Sequence, residues 1–175
     1  MMVVPAIRRR AIDKKEKVVR VDKPKNSVIP SGFVLLVDTR EQQPLFSKPP
    51  TNLIIERVAL KDGDYSIKGH EDKIVIERKK VNDLCSYIGK ERRRTNRKII
   101  QLESMDWAAL IIEANEKDLE TQYKYGKVTP AHIRGFLLSL SVKHGIHVYI
   151  CKRRERLEKY ILNHFLYYWG MTHGK

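Results

Sequence analysis

Only two cysteines, Cys85 and Cys151, occur in 175 residues. They are far apart in sequence and lack the paired spacing that a zinc site or a disulfide framework requires. Each lies among apolar neighbours, so both are read as buried free thiols, a usage that suits a reducing intracellular compartment. No run approaches the ~18 consecutive apolar residues of a membrane-spanning helix, and no apolar stretch accompanies the basic N-terminal residues, so neither insertion nor secretion is expected. A Gly-rich phosphate loop of the Walker type is missing, which excludes nucleotide hydrolysis by that route. His70, His132, His144, His147 and His164 are scattered, without metal-ligand spacing to Cys or Asp, which argues against a histidine-metal hydrolase. Acid is scarce relative to base: 21 Asp plus Glu against 35 Lys plus Arg leave a formal net charge of +14. That excess points to a polyanionic partner, nucleic acid first and an acidic membrane surface second.

Part of the excess sits in an N-terminal arm. Residues 1–31 hold nine Lys or Arg against three acids and show no sustained helical or strand period. Such a segment is expected to be mobile in isolation, serving either to neutralise phosphates or as a solubilising tail. Residues 32–175 are enough for one domain with its own core. The apolar run Phe33–Val37 suits a strand covered on both faces, and Leu53–Leu60, Tyr65–Ile67 and Lys73–Arg78 read as further strands between turns. Val81–Ile88 and about Lys90–Ser104 have helical spacing, Trp107–Ala114 is again a strand, and Asn115–Lys127 is polar. Thr129 and Pro130 have the chemistry of a helix start and Gly145 that of its end. Ile146–Cys151 and Arg153–Trp169 then supply a last strand and helix. This alternation predicts an α/β domain, a mixed central sheet flanked by helices.

The chemistry concentrates at strand ends. Gly63-Asp64 is followed by Glu77-Arg78-Lys79 at the end of the run Ile74-Val75-Ile76. Strand side chains alternate, so Glu77 and Lys79 project to one side, with Asp64 arriving from the neighbouring turn. Two carboxylates and an amine are the minimum for hydrolysing a phosphodiester with Mg²⁺, for which Mn²⁺ commonly substitutes: hard oxygen ligands hold the ion, and the ammonium offsets charge or holds the attacking water. The plain alternative is a solvated charged strand end. Asp38, followed by Thr39-Arg40-Glu41, ends another strand, and Asp83 follows Lys79 by four residues. Within the second helix Lys90, Arg92, Arg93, Arg94, Arg97 and Lys98 put six basic residues in nine positions. That density repels itself unless an anion is near, so it reads as a phosphate-binding surface.

Taken together, Val37-Asp38-Thr39-Arg40-Glu41, Gly63-Asp64-Tyr65 and Glu77-Arg78-Lys79-Lys80-Val81-Asn82-Asp83 resemble the nuclease domain of the XPF/Mus family of structure-selective endonucleases. No motif position is missing, and the resemblance runs from about Phe33 to Trp169. It implies a restriction-endonuclease-like core and metal-dependent cleavage of branched DNA (Holliday junction, flap or fork) in recombination, repair or replication. Asp64 and Glu77 are then the direct metal ligands, Lys79 orients or deprotonates the water, Asp38 and Glu41 hold metal-bound water or a second cation, and Asp83 supports Lys79 or Arg78. Arg40 and Arg78 are placed either on phosphate or in internal ion pairs. Family members dimerise through the last helices, so Phe136, Leu140, Leu157, Ile161, Phe165 and Trp169 are candidates for a homodimer contact as well as for the core.

The family usually carries tandem helix-hairpin-helix repeats after this domain, and none is read in this sequence, so substrate choice falls to the domain and its arm. Because some relatives keep the fold as a scaffold, a non-catalytic DNA-binding module is the alternative reading. The complete acidic motif favours the enzyme.

Overall fold

β-branched and aliphatic runs form one sheet in the computed structural model, which describes residues 28–120 and 127–174. Its strands are β1 (Val34–Asp38), β2 (Ile54–Val58), β3 (Tyr65–Ile67), β4 (Ile74–Lys80), β5 (Trp107–Glu113) and β6 (His147–Ile150). The helices are α1 (Val81–Ile88), α2 (Arg92–Glu103), the short α3 (Glu116–Leu119), α4 (Pro130–His144) and α5 (Arg154–His173). The sheet runs in the order β2-β1-β3-β4-β5-β6. β1 pairs with β2 in parallel, as do β4, β5 and β6 in turn, and β3 is antiparallel to both its neighbours. The architecture is thus α/β with a mixed sheet flanked by helices.

Side-chain alternation divides the sheet into two faces with separate cores. Leu35, Val37, Tyr65, Ile67, Ile74, Ile76, Ala109 and Ile111 face one way and pack on Leu157, Ile161 and Phe165 of α5. Val75, Ala108, Leu110 and Ile112 face the other way, onto Leu84 of α1, Ile99 and Leu102 of α2, and Ile133 and Leu140 of α4. Continuing the count along β4 puts Glu77 and Lys79 on the side of α1 and α2, and Arg78 on the side of α5.

Local chemistry accounts for the boundaries. The Thr129 hydroxyl accepts from the His132 backbone N–H, Pro130 opens the first turn of α4, and Gly145 ends it with φ of 63°. The polar stretch after Ala114 contains α3, held by a capping box between Asn115 and Asp118; four residues offer no periodicity to read. α5 continues past Trp169 to His173.

Three expectations are tested by burial. Leu140, Leu157, Ile161 and Phe165 are buried inside this chain, and Trp169 packs edge-on against Phe33 at 5.7 Å. The stripe proposed for a homodimer contact is therefore mostly core, because α5 packs on one face of the sheet and α4 on the other. Cys85 and Cys151 are free but only half-buried, not buried as expected. The arm expected over 1–31 lies outside the described residues as far as Ser27; Ile29 packs against the α5-side core. Among the described residues no helix is long and apolar enough to cross a membrane.

Phe165→Ala is accordingly expected to destabilise the fold by about 3–5 kcal/mol. The urea midpoint should fall while the sedimentation coefficient of the folded protein stays the same.

Candidate active site

The turn before β3 places Asp64 against β4. Gly63 has φ of 74°, and a Cβ there would lie 2.9 Å from Val75 Cβ and 3.2 Å from the Ile76 carbonyl. Glycine is required twice over, for the left-handed backbone and for the close approach. The backbone of Asp64 then joins two strands: its N–H donates to the Ile76 carbonyl at 2.8 Å, and its carbonyl accepts from Asp38 N–H at 2.9 Å. Its carboxylate turns to β4, where Oδ2 accepts from Arg78 N–H at 2.7 Å. With Tyr65 paired to Ile76, Asp64 and Glu77 fall opposite each other on the α1/α2 side.

Glu77 is only 1% exposed and has an ammonium at each oxygen. Lys79 Nζ donates to Oε1 at 2.5 Å, and Lys98 Nζ, reaching across from α2, lies 2.5 Å from Oε2. The Lys79 ammonium also sits 5.1 Å from the centroid of the Tyr87 ring. The phenol of Tyr87 is buried without a hydrogen-bond partner, and burial together with Glu77 and Asp64 pushes its pKa up.

The charges respond to this crowding. Burial, then repulsion from Glu77, lift the Asp64 carboxyl from 3.8 to about 7, against the Arg78 N–H and the two lysines. Burial also opposes ionisation of Glu77, but Lys79 and Lys98 outweigh it and hold Glu77 below the ordinary carboxylate value. Burial would lower Lys79, yet Glu77 keeps its ammonium above the ordinary lysine value. Lys79 is thus built to stay charged.

The opposite face of β4 does different work. Arg78 Nη1 donates to the Gln43 carbonyl at 2.8 Å and lies 3.1 Å from Glu41, while Nη2 pairs with Glu113 at the end of β5. Its side chain is only 3% exposed, so of the two placements open in the sequence Arg78 takes the internal ion pair, as strand alternation directs. Glu41 joins that network on the α5 side, away from Glu77. Asp38 is likewise committed: its carboxylate accepts from Arg40 N, Nε and Nη2 at 2.7, 2.8 and 2.9 Å and from Leu60 N–H at 2.8 Å. Burial raises its pKa, but the Arg40 bonds bring it below the usual value. This arrangement fastens the loop after β1 and leaves no Asp38 oxygen turned to a second cation, against the expectation from sequence. Arg40 is two-thirds exposed although its head group is held by Asp38. Asp83 lies exposed in the first turn of α1, where its charge is felt by Lys79. With Glu41 and Lys80 it lines a cleft of about 250 Å³.

Of the basic cluster, Lys90, Arg92, Arg93, Arg94 and Arg97 are exposed, as a phosphate-binding surface needs. Lys98 leaves that set and turns inward, a position that could have been read from the spacing of Thr95, Lys98, Ile99 and Leu102 on one helical face. Glu113, missed in the sequence, shares the alternation of Ala109 and Ile111.

Among the described residues no three or more His, Cys, Asp or Glu are arranged to hold a metal ion. Asp64 and Glu77 nevertheless fit a hard cation. Mg²⁺ is commonly held by one or two carboxylates with the rest of its shell water or phosphate oxygen, and Asp64 and Glu77 are two hard carboxylates set opposite each other at the end of β4.

The ERCC4 domain family matches residues 19–164. Among solved structures, XPF from Aeropyrum pernix superposes with a TM-score of 0.57 at 18% identity, covering 75% of this chain and 59% of that one. XPF from Aeropyrum pernix in complex with DNA gives 0.57 at 16% identity, covering 81% and 66%. This chain therefore spans about three fifths to two thirds of the length of those relatives. No curated protein matches it by sequence.

Two outcomes are expected from these charges. Because the native carboxyl of Asp64 titrates near 7, above its ordinary 3.8, folding takes up a proton between those values and stability falls as pH rises through them. Asp64→Asn should be more stable than wild type at about pH 8, with the gap closing toward pH 4 in thermal melts. Arg78→Met should cost about 3 kcal/mol by removing the cation from Glu41 and leaving Glu113 only its longer contact with Arg154. Its DNA affinity, measured by anisotropy on the folded fraction, should stay near that of wild type.

Proposed function

Because this chain belongs to the ERCC4 domain family, a family of nuclease domains, we propose that it is a metal-dependent DNA endonuclease that hydrolyses phosphodiester bonds in branched DNA. The observation that carries this reading is the convergence of Asp64, from the turn before β3, and Glu77, from β4, on one buried point with Lys79 beside them. A carboxyl held near neutrality next to an ionised one is a costly arrangement, and an added cation relieves it. The DNA complex of the Aeropyrum pernix relative supports nucleic acid as the partner.

The roles follow from the geometry. Asp64 and Glu77 would hold Mg²⁺, with Mn²⁺ as a substitute; once bound, the ion polarises the phosphate and favours ionisation of the attacking water. Lys79, its ammonium stabilised by Glu77, is a poor base and a good electrostatic partner: it orients the water and stands where negative charge grows on the phosphate. The exposed Lys90, Arg92, Arg93, Arg94 and Arg97 hold the backbone on either side of the cut, an interaction expected to weaken steeply with salt. Arg78, Glu41 and Glu113 keep the end of β4 rigid from behind. Asp38 and Arg40 keep the adjacent loop in place.

Holliday junctions are the leading specific substrate, since a homodimer would present two sites to a two-fold structure, with flaps and forks as the other forms. Most of the side chains expected to make that dimer are spent in the core, so its contact has to draw on exposed residues such as Leu138 and Val142 of α4 and Tyr167 and Met171 of α5. Intracellular action in recombination, repair or replication belongs to the same reading. A scaffold without catalysis would need no acid pair of this kind.

The test is a labelled panel of flap, fork and four-way junction with and without Mg²⁺. Wild type should cut in the presence of the ion, and Asp64→Ala and Glu77→Ala should lose about a hundredfold or more in rate while still binding DNA. Equal cutting by those variants would remove the assignment. DNA binding without any metal-dependent product would leave the scaffold.

A further inference from the structure

Lys98 differs from every other basic residue of α2. Arg92, Arg93, Arg94 and Arg97 are exposed, whereas Lys98 shares the inward face with Thr95, Ile99 and Leu102. Its Nζ stands 2.5 Å from Glu77 Oε2, an ammonium–carboxylate contact made across from another element. An ammonium and a divalent cation are alternative partners for one carboxylate oxygen.

The charge balance says which group has to move. Asp64 and Glu77 against Lys79 and Lys98 sum to zero when all four are ionised. A divalent cation adds two positive charges to a buried point, and a phosphodiester removes one. Loss of one ammonium from the cluster restores neutrality, which a low-dielectric site favours strongly. Lys79 is anchored: it follows Glu77 by two residues on the same strand, and the Tyr87 ring packs on its ammonium. Lys98 is not. It reaches across from another element on a flexible stem with a quarter of its side chain exposed.

We propose that Lys98 is a tethered counter-ion of the acid pair: its ammonium occupies Glu77 Oε2 in the metal-free protein, is displaced from that oxygen by the divalent cation, and is thereby released toward the DNA phosphates. The inference rests on the metal-site reading of Asp64 and Glu77 given above. It makes Lys98 a positioning residue that keeps Glu77 in place before the ion arrives. It also means that metal and lysine compete for one oxygen.

The test is Mn²⁺ binding to the full chain at about pH 8 without DNA, followed by the electron spin resonance of the free ion. Lys98→Met should bind Mn²⁺ about tenfold tighter or more, because it leaves Oε2 without its resident cation. Lys98→Arg and the exposed-site control Lys152→Met should stay within about twofold of wild type, and Glu77→Gln should abolish binding in either background. In wild type, saturating Mn²⁺ should also increase acetic anhydride labelling of Lys98 relative to Lys79, read by mass spectrometry. If Lys98→Met binds no tighter while Glu77→Gln still abolishes binding, the tethered counter-ion is wrong and the metal site stands. If neither wild type nor Lys98→Met binds Mn²⁺ through Glu77, both fall. Should Lys98→Met fail to fold, labelling of wild type decides: Lys98 reactivity unchanged by Mn²⁺ overturns the proposal.

Discussion

A carboxylate buried at the end of the central strand is the constraint around which this domain is arranged. Glu77 is almost without solvent, and an isolated charge there would protonate or unfold the strand that carries it. Lys79 from the same strand and Lys98 from α2 make the charge tolerable, and in doing so tie the sheet to the helix that carries the basic surface. Asp64 has no such pair of its own. Pressed against Glu77 by the turn at Gly63, its carboxyl is held near neutrality, so the site carries an unresolved electrostatic cost in a fold that is otherwise well packed.

Alternation along β4 separates two kinds of ion pair that adjoin in sequence. Glu77 and Lys79 point to α1 and α2, and this side is where chemistry is proposed. Arg78, between them, points to α5 and is closed in by Glu41, Glu113 and the Gln43 carbonyl. Breaking the first set leaves a buried charge without its partner, and breaking the second strips charge partners from beneath the strand. The loop after β1 is tied to the same support, since Arg154 of α5 donates to the Gln43 and Pro44 carbonyls and Glu158 accepts from Phe46 N–H. The side of the sheet that α5 covers is thus the foundation of the site on the other side.

How far the site could be read in advance depended on whether a residue's role is local. Glu77 and Lys79 are two apart on a strand, so their common direction follows from strand geometry alone, and a Gly-Asp turn before a short strand marks Asp64 in the same way. The family pattern adds the order of the segments. By contrast, Asp38 and Glu41 look equally acidic and equally well placed at a strand end, yet the first is consumed by Arg40 and Leu60 N–H and the second by Arg78. Arg40 is a neighbour in sequence, but Leu60 and Arg78 come from other segments. Lys98 was counted with its basic neighbours because charge density hides periodicity; three residues after Thr95 and one before Ile99, it belongs to the buried stripe. The apolar stripe of α5 could be core or interface, and only the width of the sheet face it covers decides for core.

By itself the sequence determined the α/β class, nearly every strand and helix, and the presence of the acidic-basic motif in a strongly basic chain, because apolar period, turn chemistry and composition are properties of neighbours along the chain. Tertiary structure alone decided that Arg78 and Glu41 are braces, that Asp38 is a staple and that Lys98 is the second cation on Glu77. The reason is physical: the energy of a charge depends on burial and on which opposite charge lies within a few ångströms, and both are fixed by contacts between segments far apart in sequence.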